Sequence, residues 1–183
     1  MRTCDLQTYP VIASITEADQ ITDALASGVR RVNLMAGTIN NLKPIIERLH
    51  DVGKQVFVHI EMVGGIGRDA SSIQYLAEVF KADGIVTTKS NAVAAAKQAG
   101  IRSIQRCFAI DSAAVETAVR MINKCGPDEV ELMPGLMPRV IREVKGKITQ
   151  PLIVGGLIRH DEEIRLALEN GADFVSIGDS RFW

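Results

Sequence analysis

The chain has 183 residues, of which 46% are hydrophobic, 23% charged and 4% aromatic. That suits one domain with a sizeable core and excludes general disorder. Its 21 basic and 22 acidic side chains leave a net charge of −1, so composition gives no support to nucleic-acid binding, which usually draws on a basic excess. No apolar run is long enough to span a membrane, and MRTCDLQTYPVIASITEADQ lacks the apolar stretch of a signal peptide. Cys4, Cys107 and Cys125 are far apart with no CxxC, which argues against a disulfide framework or a zinc site and fits a reducing cytoplasm.

The first extended run is residues 11–14. A helix follows with Ala18, Ile21 and Leu25 on one face, opened by a capping-box pattern, Thr16-x-x-Asp19. SGVRRVNLM (27–35) then introduces a signal that repeats: a helix ends at glycine and a β-branched run begins. It recurs as VGKQVFVHI (52–60), AGIRSIQRCF (99–108), CGPDEVELM (125–133) and NGADFVSIG (170–178). Glycine at the helix end takes a left-handed conformation at little cost, and Val and Ile favour extended chain. Leu42, Ile45, Ile46 and Leu49 line the second helix, with Pro44 expected in its first turn. Val115, Val119 and Ile122 line a helix that stops at Gly126-Pro127, and Asp161-Glu162-Glu163 opens another, where acidic side chains complement the helix dipole.

With the runs at 85–88 and 152–154 there are eight candidate strands, starting 18 to 29 residues apart. Each step fits one strand–helix unit with a short crossover. Eight in a row predict an α/β fold, a compact (β/α)8 TIM-type barrel formed by residues 1–183 as one domain, with the last helix short or missing. An open doubly wound sheet is the rival and usually needs fewer strands.

Barrels gather ligand chemistry where their strands end. Polar side chains fall there on several strands: Asn33; His59 and Glu61, two apart; Thr87 to Asn91, including Lys89; Gln105 and Arg106, followed by Asp111; and Glu131. Charges inside buried strands are costly unless paired or bound to a ligand, and Arg106 with Glu131 or Glu61 would satisfy the pairing. Gly155-Gly156 after the seventh strand, with Ser176-Ile177-Gly178-Asp179 after the eighth, fits a phosphate cradle, because glycines let several backbone N–H groups approach one anion. The glycine-rich segment at 62–69, MVGGIGRD, reads either as a flap bringing Arg68 over the mouth or as an ordinary loop. His59 or Glu61 as acid or base, and Lys89 as a Schiff-base amine, keep an enzyme open. No recognised catalytic or metal-binding motif accompanies them. An enzyme and a sensor of the same phosphate stay equally consistent with these residues.

FVHIEMVGGIGRD, GIVTTKSN, SIQRCFAIDSAA, ELMPGLMPRVI and VGGLIR, in this order and spacing, resemble the glycerol-3-phosphate-responsive antiterminators of glycerol uptake operons over nearly the whole chain. The resemblance implies a cytoplasmic regulator without catalytic activity or cofactor. It would bind glycerol 3-phosphate as effector and act on the leader of a glycerol-catabolic mRNA, preventing termination and stabilising the transcript. By position, Gly155, Gly156 and Gly178 would cradle the phosphate. His59, Glu61, Lys89, Arg106 and Glu131 would surround the glycerol hydroxyls, and Arg159 would face phosphate or RNA. Asp179 departs from the uncharged residues of the family pattern at that point; capping a short turn is its other use.

The residues themselves offer one basic cluster for RNA, Arg139, Arg142, Lys145 and Lys147. Cations in the last turns of a helix also simply complement its dipole. A homodimer would set two such patches side by side. The alternative class is a phosphate-ester isomerase, lyase or transferase on the same barrel.

Overall fold

The computed structural model describes residues 10–183; Cys4 falls outside them. Eight strands alternate with seven α-helices: β1 (Val11–Ile15), α1 (Gln20–Ala26), β2 (Arg31–Leu34), α2 (Ile39–Asp51), β3 (Gln55–His59), α3 (Ala70–Glu78), β4 (Gly84–Thr87), α4 (Ser90–Ala99), β5 (Arg102–Phe108), α5 (Ser112–Cys125), β6 (Glu129–Met133), α6 (Pro138–Lys145), β7 (Leu152–Gly155), α7 (Asp161–Glu169) and β8 (Phe174–Ile177). The strands are parallel in sequence order, and β8 pairs with β1 to close the barrel. The open-sheet alternative is thereby excluded. Every strand falls on one of the eight expected stretches, to within one residue. In place of an eighth α-helix, residues Ser180–Phe182 form one 3-10 turn. Phe182 and Trp183 pack against the two halves of the outer core, and the Trp183 indole donates to the Ile177 carbonyl at 2.8 Å.

Each strand buries both faces, which is why the strands read as continuous apolar runs. Outward residues pack under the helices in two clusters, one built on β1–β4 and the other on β5–β8. Inward residues Ile12, Phe57, Val86, Ile104 and Ile153 fill the middle of the barrel.

Below that layer the barrel is closed by charge. Glu129 accepts from Arg31 at 2.6 Å and also pairs with Arg102. The Arg31 guanidinium lies 4.7 Å from the Phe174 ring centroid and 5.1 Å from that of Phe57. Phe57 has room to lie there because position 84 is glycine: a Cβ would fall 2.4 Å from its ring. Three aspartates staple the same end. Asp83, Asp128 and Asp173, each just before an even-numbered strand, accept the backbone N–H of Val56, Ser103 and Leu152 at the start of the preceding odd strand, at 2.7, 2.8 and 2.6 Å.

Some local expectations are corrected. The first capping interaction uses Gln20, not Asp19: its side-chain oxygen accepts from the Thr16 and Glu17 amides at 2.8 and 3.0 Å. Asp19 is already in helical conformation and makes no side-chain cap. Pro44 is the sixth residue of α2, beyond its first turn. The hydrogen bond it forfeits belongs to the Asn40 carbonyl, and both residues are exposed, which keeps the cost of the lost bond low. Gly53, Gly100, Gly126 and Gly171 are left-handed as expected, but Gly28 is not, and α1 stops at Ser27 instead.

The floor yields a test. Glu129→Ala leaves the buried Arg31 guanidinium without its counter-ion, while half-exposed Arg102 falls back on solvent, and is expected to cost about 3–5 kcal/mol in urea unfolding. Lys43→Ala, which removes a solvent-exposed pair with Glu47 at 3.8 Å, is expected to stay within about 0.5 kcal/mol.

Candidate functional site

Two residues further along the same strands, the inward positions become polar and their bonding becomes incomplete. Ser14, Asn33, His59, Arg106, Glu131 and Ser176 are all buried at the C-terminal end of the barrel. Arg106 Nε donates to Glu131 Oε2 at 2.7 Å, and its terminal nitrogen reaches the Met35 sulfur on the β2 side at 3.5 Å. The guanidinium therefore crosses the mouth. Ser14 and Ser176 share a hydrogen bond between neighbouring strands. Both polar atoms of the Asn33 amide, both ring nitrogens of His59 and Glu131 Oε1 have no hydrogen-bond partner among the described residues. His59 Nδ1 lies 3.3 Å from Glu61 Oε2 but is not aligned to donate to it. Burial, and then the Arg106 cation, push the His59 pKa down to about 3. The ring is neutral at physiological pH, with one donor and one acceptor.

The glycine turns border this cluster. Gly156 has φ +79° and is followed by Leu157 at φ +65°, a conformation that costs a non-glycine residue about 1–3 kcal/mol and is concentrated at ligand sites. The amides of Gly156, Leu157, Gly178 and Asp179 have no acceptor among the described residues. A Cβ on Gly155 would fall 2.9 Å from the Ser176 carbonyl oxygen and 3.3 Å from Glu131 Oε1. Position 155 thus has no space for a side chain, and the turn abuts the orphaned carboxylate oxygen. Gly178 is fixed by Gln20, which donates to its carbonyl at 2.6 Å. Asp179 accepts from the Arg181 amide at 3.1 Å and pairs with its guanidinium. Its capping use therefore holds, and its charge is drawn toward Arg181.

Of the expected residues, His59, Arg106, Glu131 and Gly155 converge, with Gly156 and Gly178 beside them. Glu61 stands at the edge, where Thr87 donates to it. Lys89 is exposed on the rim at the N-cap of α4 and lies outside the buried cluster. Gln105 points the other way: adjacent to inward Arg106, it faces the helices and accepts from the Cys125 thiol at 2.8 Å. Asp111 caps α5 by accepting from the Ala114 amide at 2.7 Å. The 62–69 loop is tied to its neighbour, with Ile39 donating to the Gly64 carbonyl at 2.8 Å and Gly64 to that of Gly37 at 3.0 Å. Asn33, Ser14 and Ser176 belong to the same buried cluster, and their inward register is the sequence signal for them.

The basic cluster is largely paired. Arg139 and Lys147 both reach Glu143, Lys145 pairs with Asp173 at 2.6 Å, and Arg142 donates to Asn170. Asp173 and Asn170 mark the base of the barrel, so Arg142 and Lys145 lie at the end opposite the mouth. Arg139, in the first turn of α6, and exposed Arg159, just after β7, lie at the mouth end.

The fold and this end of it define a (β/α)8 barrel protein without its eighth α-helix, carrying an unsatisfied polar cluster at the mouth. Residues 11–183 match the glycerol-3-phosphate responsive antiterminator family, and the chain belongs to it. It is similar to the crystal structure of the glycerol uptake operon antiterminator regulatory protein from Listeria monocytogenes, with a TM-score of 0.91 and 29% identity over 98% of this chain and 97% of that one. A glycerol uptake operon antiterminator-related protein from Thermotoga maritima gives a TM-score of 0.84 and 33% identity over 97% of this chain and 99% of that one. The uncharacterized protein YgcP of Escherichia coli is 32% identical, over 97% of this chain and 93% of its own. Among the described residues no helix is long and apolar enough to cross a membrane.

The depressed pKa of His59 sets a pH dependence. Its folded-state value lies below the ordinary 6.5, so the unfolded chain takes up this proton first as pH falls. The stability tied to the neutral ring is complete above about pH 6.5 and is lost toward pH 3, by up to about 1.4 kcal/mol per unit. Unfolding of His59→Gln is expected to show a shallower acid slope than wild type. Imidazole 15N shifts of the wild type are expected to remain those of a neutral ring at pH 5.

Proposed function

We propose that the protein is a glycerol 3-phosphate-responsive, RNA-binding transcription antiterminator that acts in the cytoplasm on the leader mRNA of glycerol-catabolic genes and carries out no catalytic step. The observation that carries this reading is the set of unpartnered polar atoms on Asn33, His59 and Glu131 next to the free amides of the two glycine turns. Buried polar groups are normally bonded, and a clustered exception asks for a ligand. Free amides suit a phosphate, while carboxylate, amide and neutral imidazole suit hydroxyls. Family membership and the two antiterminator relatives support the same reading.

Chemistry favours binding over turnover. A histidine whose pKa is pushed down to about 3 is a poor base at neutral pH. Lys89, the candidate amine nucleophile, is solvated and outside the cluster, without the desolvation that activates such lysines. In this reading Gly155, Gly156 and Gly178 take the phosphate, and His59, Arg106 and Glu131 the polyol, with Glu61 and Lys89 on the rim. Arg159, Arg139, Arg142 and Lys145 form a strip from mouth to base down the α6 flank that RNA phosphates follow, and a homodimer doubles it.

Coupling tests the reading. At fixed salt, glycerol 3-phosphate is expected to tighten leader-RNA binding by about 5- to 150-fold, and RNA to tighten ligand binding by the same factor. Titrations with no coupling in either direction would exclude the regulator. Gly156→Val, strained at φ +79° and crowding the Met133 side chain, is expected to abolish the response. Product formed from glycerol 3-phosphate and lost in His59→Ala would instead establish the enzyme.

A further inference from the structure

Within the mouth the open atoms are not equivalent. Asn33 offers both a donor and an acceptor, and neutral His59 offers one of each. These two can bond equally to a hydroxyl or to a carbonyl oxygen, so they do not distinguish an alcohol from its ketone. Glu131 is different. It is fully buried, its Oε2 is held by Arg106 at 2.7 Å, and its Oε1 has no hydrogen-bond partner among the described residues. An ionised carboxylate only accepts. Whatever meets Oε1 must bring a hydrogen.

Its position says which hydrogen. Oε1 lies 3.3 Å from where a Cβ would stand on Gly155, directly against the β7 turn. A phosphate group facing Oε1 would set anion against anion, so the atom reads the part of the ligand next to the phosphate. In a three-carbon ester held at the glycine turns, that part is the carbon after the ester carbon. Arg106 covers the cluster through its contact to the Met35 thioether at 3.5 Å, a weak acceptor that a ligand oxygen displaces.

We propose that Glu131 makes this site selective for phosphate esters with a hydroxyl on the carbon next to the ester carbon, and that it rejects the corresponding ketone. The inference rests on the mouth being the phosphate-ester site and adds to it the oxidation state that the site senses. A carbonyl in the same place would leave a buried carboxylate oxygen unpaired and facing another lone pair, a penalty of the kind that gives binding sites their strongest discrimination.

The test is calorimetry on the full chain with glycerol 3-phosphate, dihydroxyacetone phosphate, propane-1,2-diol 1-phosphate, propane-1,3-diol monophosphate and inorganic phosphate. The ketone and the propane-1,3-diol ester, which lack the central hydroxyl, are expected to bind at least about 100-fold more weakly than glycerol 3-phosphate. Propane-1,2-diol 1-phosphate, which lacks only the terminal hydroxyl, is expected to stay within about tenfold. In Glu131→Gln the amide can donate to a carbonyl, and the gap between alcohol and ketone is expected to shrink below about tenfold. The wild-type series stands alone should that variant fail to fold. Equal binding of alcohol and ketone, a reversed order of the two diol esters, or a gap unchanged in a folded Glu131→Gln overturns the inference while leaving the phosphate site intact. No heat with any of the esters overturns the phosphate-ester reading itself.

Discussion

The Arg106–Glu131 ion pair is the constraint around which the mouth is organised. Both side chains are buried, so each would be costly alone and the pair is held together by the expense of separating it. The pair uses only one oxygen of Glu131, and the remaining valences shape the surroundings. The Arg106 cation works with burial to keep His59 neutral. The free oxygen of Glu131 presses against the β7 turn, where only glycine fits. Removing either partner would leave an uncompensated charge and would also change the protonation and packing of its neighbours.

The two ends of the barrel apply the same chemistry in opposite ways. At the floor, Glu129 is saturated by two arginines, Arg31 is held against two aromatic rings, and three aspartates close the strand starts onto their neighbours. Two residues further along, Arg31 gives way to Asn33 and Glu129 to Glu131, and the bonding is left incomplete. The inward face of β5 runs from the ionic floor at Arg102, through Ile104 of the apolar layer, to Arg106 at the mouth, while β2 and β6 pass directly from floor to mouth. The base is saturated and the mouth carries the unmet hydrogen-bonding capacity, the separation of stabilising and ligand-facing ends that barrel proteins generally show.

That division explains what the residues revealed beforehand. The helix–glycine–strand repeat marks five of the strands and bare apolar runs mark the other three, because parallel strands buried on both faces leave an uninterrupted apolar signature. The polar mouth was legible because a charge inside such a run stands out. What a list of polar residues lacks is parity. Gln105 and Arg106 are neighbours, yet one faces the helices and the other the lumen, and only the inward register fixed by Ile104 separates them. The same register would have promoted Asn33, Ser14 and Ser176. The role of the aspartates before β4, β6 and β8 depends on pairing between strands that lie apart in sequence, so it emerges only from the fold. Lys89 shows the reverse case: a chemically attractive residue just past the end of a strand whose side chain is exposed on the rim.

The charge of the effector bears on where RNA is read in the proposed regulator. A phosphate monoester adds negative charge at the glycine turns, next to Arg159 and to the mouth end of α6. Within about 8–10 Å, the screening length at physiological salt, that charge repels RNA phosphates. Direct electrostatics at the mouth would therefore make ligand and RNA oppose each other. Cooperation needs the opposing term to be either distant or outweighed. Arg142 and Lys145 meet the first condition, because the length of α6 places them at the base, beyond the reach of the ligand's charge, although their pairing with Asn170 and Asp173 moderates what they offer. Ordering of the β7 turn meets the second, since Leu157 already holds a left-handed backbone whose cost a ligand on its amide would offset. The sign of the coupling is thus set by geometry along one flank of the barrel more than by the number of its cations.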